Sequence, residues 1–186
     1  MGKRDDILTA AFDIITEEGL QGLTFSKIFE KAGVGSGTVY NYFSSKEELV
    51  CELFNQIQSH MADVLGVRTM PDDTIYAQFC YAIGNLIDYE LNYQNELLFL
   101  IDFVHFSLLT DKNRCTYANP DMSVLYRMYE RGQHEGLIRK MSPLLCSKIV
   151  SGIVHYGVTG FLQGQYPFGE SDKKDLIEVA WRSLKL

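Results

Sequence analysis

Apolar residues recur at helical spacing along nearly the whole chain, and glycine, proline and small polar residues break the runs. Leu8, Ala11, Phe12 and Ile15 share one face of a first helix over residues 3–18, with Gly19 as its stop. Thr24 stands where an N-cap belongs, with Leu23 before it and Ile28 after it as an apolar staple. Ile28, Phe29 and Ala32 continue one face, and Gly33 permits the left-handed conformation that ends a helix. The turn Gly33-Val34-Gly35 leads to a second short helix. There Val39 and Phe43 point inward, and Ser36, Gly37, Thr38, Tyr40, Asn41 and Tyr42 occupy the remaining surface. Ser44 and Glu47 read as a capping box opening a long helix, in which Leu49, Leu53, Phe54, Ile57 and Met61 continue the spacing to about Leu65.

Residues 66–73, with Pro71, read as a break, and everything beyond is expected to be helical. Ile75, Phe79, Ile83, Leu86 and Glu90 mark a helix to about Asn92; residues 96–109 form another, apolar on nearly every side. A polar loop follows over 110–119. Asn119-Pro120 and Ser142-Pro143 each read as a cap with proline at the first helical position. The helix from Pro143 carries Ile149, Ile153 and Tyr156 on one stripe, and its glycines 152, 157, 160 and 164 predict close approach of another helix. Residues 172–186 form the last helix, with Leu176, Ile177, Ala180, Trp181 and Leu184 as its apolar side. The expected fold class is all-α, an N-terminal three-helix helix-turn-helix domain joined to a larger helical ligand-binding and dimerisation domain. Its parts are residues 1–46, a linking helix over 46–65, and residues 67–186.

The hydroxyl-rich helix over 36–42 is the first candidate for chemistry. With its N-terminal turn in a major groove, such a helix offers short polar side chains to base edges and hydroxyls to phosphates. Gly37 removes a side chain from the approach, at a cost of about 1 kcal/mol for glycine inside a helix. GVGSG is not a phosphate-cradling loop, because no strand precedes it, no Lys-Ser/Thr follows, and the full GxGxxG spacing is missing. A purely structural helical hairpin stays open on pattern alone.

The run LTFSKIFEKAGVGSGTVYNYFSSKEELVCELF resembles the N-terminal helix-turn-helix signature of the TetR family of one-component transcriptional regulators. The match includes Thr24, Ala32-Gly33-Val34, Gly37-Thr38-Val39-Tyr40, Tyr42-Phe43 and Lys46-Glu47-Glu48-Leu49, in about the first quarter of the chain. The resemblance implies that Thr24, Thr38, Tyr40, Tyr42 and Lys46 hold the phosphate backbone, and that Ser26, Ser36, Gly37 and Asn41 face bases. It further implies that the last two helices pair with their symmetry mates, giving a homodimer on a near-palindromic double-stranded DNA operator. Two positions depart from the pattern: Gly35 stands where a serine cap is usual, and Phe29 where a small residue is usual.

Charge qualifies this picture without reversing it. The 186 residues carry a net charge of −7, but Lys3, Arg4, Lys27, Lys31 and Lys46 nearly balance the acids of residues 1–46, so few phosphate contacts per subunit are expected. Cys51, Cys80, Cys115 and Cys146 lack CxxC spacing, which suggests reduced thiols and no zinc site. His60, His105, His134 and His155 are scattered, and neither a catalytic constellation, a metal site nor a cofactor motif is assigned. The longest apolar run is too short to span a bilayer, and a cytoplasmic location without membrane contact is expected.

A second candidate lies between residues 69 and 111, which contain no Lys or Arg but many aromatics and acids. A cavity lined by Phe79, Phe99, Phe103 and Phe106, with Asp88 or Asp102 among them, suits a lipophilic cation through cation–π attraction and charge pairing. Tyr126, Tyr129 and His155 are added from later helices. An ordinary aromatic core is the competing reading. The function expected is therefore a sequence-specific DNA-binding transcriptional regulator, not an enzyme: a repressor released by a small, lipophilic, cationic effector. A helical protein-interaction module and a small-molecule-binding protein without DNA binding are the alternatives.

Overall fold

The computed structural model describes residues 2–66, 73–109 and 123–186. Within them lie α1 (Lys3–Gly22), α2 (Phe25–Ala32), α3 (Ser36–Tyr42), α4 (Lys46–Val64), α5 (Ile75–Asn92), α6 (Gln94–Leu109), α7 (Ser123–His134), α8 (Pro143–Leu162) and α9 (Glu170–Leu184). Among the described residues the one β feature is an isolated antiparallel bridge between Ile138 and Lys185. The expected break at Pro71, the loop over 110–119 and the Asn119-Pro120 cap lie outside the described residues.

The chain divides into two compact units. The first comprises residues 1–58 and 94–117, and the second residues 59–93 and 118–186. In the first, Leu8, Ile15, Ile28, Val39, Phe43, Leu49, Leu53 and Ile57 share one core with Phe99 and Phe103 of α6. Phe54 stacks on Phe103 with centroids 4.1 Å apart, and Phe12 meets Phe99 at 6.2 Å. α6 thus adds its aromatic face to the helices of the N-terminal segment.

Gly19 breaks α1 as its position predicts, but the chain resumes one more helical turn through Gly22. Its φ of 73° and ψ of 170° lie in a region open essentially to glycine alone. A Cβ added there would also sit 3.5 Å from Asp102 Oδ2 of α6. Gly19→Ala is expected to destabilise the protein by about 1–3 kcal/mol in urea denaturation. An unchanged midpoint would mean that the kink relaxes freely.

One expected cap moves by a residue. α4 begins at Lys46, so Ser45 is its N-cap, and the Glu48 N–H donates to Ser45 Oγ at 3.2 Å. The Glu48 carboxylate in turn accepts from the Ser44 N–H at 2.7 Å and the Ser44 hydroxyl at 2.6 Å, which holds its pKa below the usual carboxylate value. The cap is therefore Ser45, with the Glu48 carboxylate reaching past it to Ser44, and not a Ser44–Glu47 box; with serines at both 44 and 45 and glutamates at both 47 and 48, the spacing rule fits either register.

In the second unit, α5 packs against α7, α8 and α9, and α8 against α9. α8 buries Cys146, Val150, Val154, Val158 and Gly160. The stripe of Ile149, Ile153 and Tyr156 is the outward one: Tyr156 is 80% exposed, with Leu144 and Leu145 also exposed. A Cβ at Gly157 would lie 2.9 Å from Leu176 Cδ1, so this glycine does serve the close approach of α9. One at Gly152 would meet nothing within 4 Å. Cys80 and Cys146 are free thiols, but Cys51 is disulfide-bonded, against the expectation of reduced cysteines. Pairing depends on how the fold brings sulfurs together, which spacing alone does not record.

Candidate nucleic-acid interface

The two short helices are set by their ends. Thr24 Oγ1 accepts from the Lys27 N–H at 3.4 Å, and Gly33, at φ 62°, closes α2 with its N–H donating to Glu30 O at 3.3 Å. Gly35 opens α3 without a side-chain cap. Val39 and Phe43 are fully buried and anchor α3, leaving Ser36, Gly37, Tyr40, Asn41 and Tyr42 exposed and Thr38 half-buried. Thr24 and Ser26 of the α2 end are exposed as well.

Two features of this face look outward. A Cβ added at Gly35 or Gly37 would meet nothing within 4 Å, so no internal packing requires glycine at either position. An outside surface that approaches the backbone closely would. Tyr40, 56% exposed, is held edge-on by Phe25 at 5.1 Å and Phe29 at 6.1 Å. The large residue at position 29 therefore braces an exposed tyrosine.

The cations are mostly engaged. Lys27 pairs with Glu18, Lys31 with Glu17 at 2.7 Å, and Arg4 with Glu52 at 2.8 Å while its guanidinium lies 5.6 Å over Phe43. Lys46 donates to the Leu20 carbonyl at 2.8 Å, and partial burial lowers its pKa. These contacts bind α1 to α2 and to α4, and leave hydroxyl groups, more than ammonium groups, facing out from α3.

The residues expected around a ligand fall into different units. Phe99, Asp102 and Phe103 lie in the first, while Phe79, Asp88, Tyr126, Tyr129 and His155 lie in the second. The side chain of Phe106 lies outside the described residues. Phe99 and Phe103 are core residues of the first unit, as Phe79 and Tyr129 are of the second. Phe79 packs on Trp181 at 5.2 Å, and burial raises the Tyr129 hydroxyl above its ordinary pKa. Asp88 is half-exposed and paired with Lys173 of α9. Among the described residues of the region the buried carboxylate is Glu90, 4% exposed, whose pKa burial pushes up to about 8. The cationic candidate beside it is His155, with Nδ1 3.7 Å from Glu90 Oε2. Burial lowers the His155 pKa, so near neutrality both groups favour their uncharged forms, and the separation exceeds a hydrogen bond. Sequence reasoning placed Glu90 among the markers of the buried face of α5 without weighing its charge. A carboxylate following Phe79, Ile83 and Leu86 at helical spacing was the available signal.

The fold and this face define a helical protein with an N-terminal helix-turn-helix. Residues 7–53 match the profile described as bacterial regulatory proteins, tetR family. Over that stretch, about a quarter of the chain, the protein carries the N-terminal domain of the tetR family of bacterial regulatory proteins. It is 37% identical over 75 residues to the HTH-type transcriptional regulator YvdT of Bacillus subtilis, a stretch covering 40% of this chain and 39% of that protein. The fatty acid metabolism regulator protein of the same organism is 27% identical over 171 residues, 90% of this chain and 78% of its own. A TetR family transcription regulator of Marinobacter aquaeolei superposes with a TM-score of 0.81 over 98% of this chain and 95% of its own, at 19% identity.

Proposed function

We propose that this protein is a sequence-specific DNA-binding repressor, acting in the cytoplasm as a homodimer and released from its operator by a small molecule held in the helical region over 67–186. The observation that carries the reading is the face of α3. Two buried anchors, Val39 and Phe43, present hydroxyls, an amide and two glycines that the protein's own packing leaves uncovered. Thr24, Thr38, Tyr40, Tyr42 and Lys46 would hold phosphates, and Ser26, Ser36, Gly37 and Asn41 would approach base edges. α3 alone is 7 residues long, too short to reach useful affinity by itself.

A twofold partner supplies the second reader. The uncovered apolar stripe of α8, with Leu145, Ile149, Tyr156 and open Gly152, and the exposed Val179 of α9, suits a self-complementary four-helix contact. This burial also accounts for α8 being long and apolar enough to cross a membrane by length and composition while only 28% buried within one chain. An effector would act by linkage: it releases DNA only to the extent that it binds the released state more tightly.

Ile149→Glu tests the dimeric reader. Sedimentation is expected to show a monomer, and affinity for a palindromic duplex protected by the parent protein should fall about 100-fold or more, the avidity of the second reader being lost. A monomer that still binds that duplex as tightly would remove the dimer from the account, and failure of the parent protein to protect any duplex would remove DNA binding.

A further inference from the structure

Among the described residues, three side-chain polar atoms are buried without a hydrogen-bond partner: Glu90 Oε2, Arg131 Nε and Thr159 Oγ1. Two of them belong to helices packed on each other, α5 and α8. Glu90 projects from the buried face of α5 towards His155 of α8, 3.7 Å from its Nδ1. Thr159 stands one turn beyond His155 on the same face of α8. Three polar side chains thus gather within a helix pair whose buried positions include the apolar Ile83, Leu86, Ile87, Val150, Val154 and Val158.

Resting on the effector-binding reading above, we propose that Glu90, His155 and Thr159 form the anchor for the effector's polar end, and that this end is a protonated amine carried on an apolar body. Burial keeps a proton on Glu90 near neutrality, and an entering ammonium ion displaces that proton to solvent, leaving a carboxylate that accepts but cannot donate, beside a neutral imidazole with one accepting nitrogen and a hydroxyl that can accept through its oxygen. Together they offer acceptors to a group with several N–H donors, which describes an ammonium and not a second carboxylate. The apolar residues flanking them supply the surroundings for a hydrocarbon body. Asp88, the carboxylate two residues earlier, is already paired with Lys173 and is half-exposed, so it does not compete for that role. Leucine at position 90 would continue the apolar face without an orphaned oxygen; a buried acceptor without a partner is a cost to folding alone, and ligand sites are where such groups gather.

Three probes with the same eight-carbon chain separate head-group chemistry from hydrophobic burial: octylamine, octanoic acid and octan-1-ol, titrated calorimetrically into the full-length protein at neutral pH. Octylamine is expected to bind at least ten-fold more tightly than either of the others. Glu90→Gln should remove that preference, Thr159→Val should weaken octylamine alone, and Asp88→Asn should leave the order intact, with circular dichroism confirming the fold of each variant. Equal or tighter binding of octanoic acid, an octylamine preference that survives Glu90→Gln, or no binding of any of the three overturns the assignment. Operator binding by Glu90→Gln without any probe is a separate readout. If it is kept while the amine preference never existed, the anchor fails and the DNA-binding reading stands; if neither parent nor variant binds DNA, that reading fails by itself.

Discussion

Thr38→Asp is expected to lower operator affinity by about 100-fold or more while leaving the melting temperature within about a degree of the parent. Like charges placed against each other cost several kcal/mol, and each 1.4 kcal/mol is a factor of ten in affinity, so about 2.8 kcal/mol suffices. Thr38 is the third residue of α3 and is half-buried on the face that includes Tyr40 and Tyr42. A carboxylate in the first turn of a helix is favoured by the macrodipole, so the same substitution that repels a phosphate supports the helix carrying it. Loss of binding with the fold intact would locate the phosphate contact at α3. Retained binding would mean that α3 does not face DNA, and the glycines at 35 and 37 would need another explanation.

The second large effect is on stability against pH, and it comes from Glu90. Burial raises its folded-state pKa from 4.5 to about 8. Between those values the native protein holds a proton that the unfolded chain has released. The contribution of Glu90 is therefore fully present below about pH 4.5, declines as the pH rises through that window, and levels off above about pH 8. The whole effect is on the order of a few kcal/mol, since each tenfold change in proton affinity corresponds to about 1.4 kcal/mol. His155 runs the other way: burial lowers its pKa, so its contribution is present above its ordinary value of 6.5 and is lost as the pH falls. Glu90→Gln is expected to flatten the alkaline decline and to be more stable than the parent at pH 8.5 in urea denaturation, though less different at pH 5. A parent and variant whose midpoints fall in parallel from pH 5 to 8.5 would show that Glu90 ionises in the folded state as it does in water.

Much of the helical layout was legible because each boundary has a local cause. Thr24, Gly33 and Pro143 mark helix ends through capping, left-handed backbone and the missing proline donor, all of which act within one turn. Gly19 was legible as a break but not as a kink, because whether helix resumes depends on what packs beyond it. The register of the α4 cap was lost between two adjacent serines. The α3 face was legible because Val39 and Phe43, four apart, fix which positions are left over. What the sequence could not rank was the carboxylates of the second region. Asp88 and Glu90 are two residues apart, and only the arrangement of α5, α8 and α9 turns one towards Lys173 and buries the other beside His155. Helical periodicity places residues on a face; it does not say which other helix covers that face.

The central claim is that α3 and its twofold mate read DNA, and selection of the purified protein against a pool of random duplexes at two salt concentrations tests it most directly. An inverted repeat should be enriched, with half-sites spaced for two readers on one face of the duplex. Four of the five cations in residues 1–46 are engaged within the protein, so the slope of log affinity against log salt should be shallow, about −4 or less in magnitude. No enrichment at low salt, with or without octylamine, would contradict the account and leave the α3 face to a protein partner.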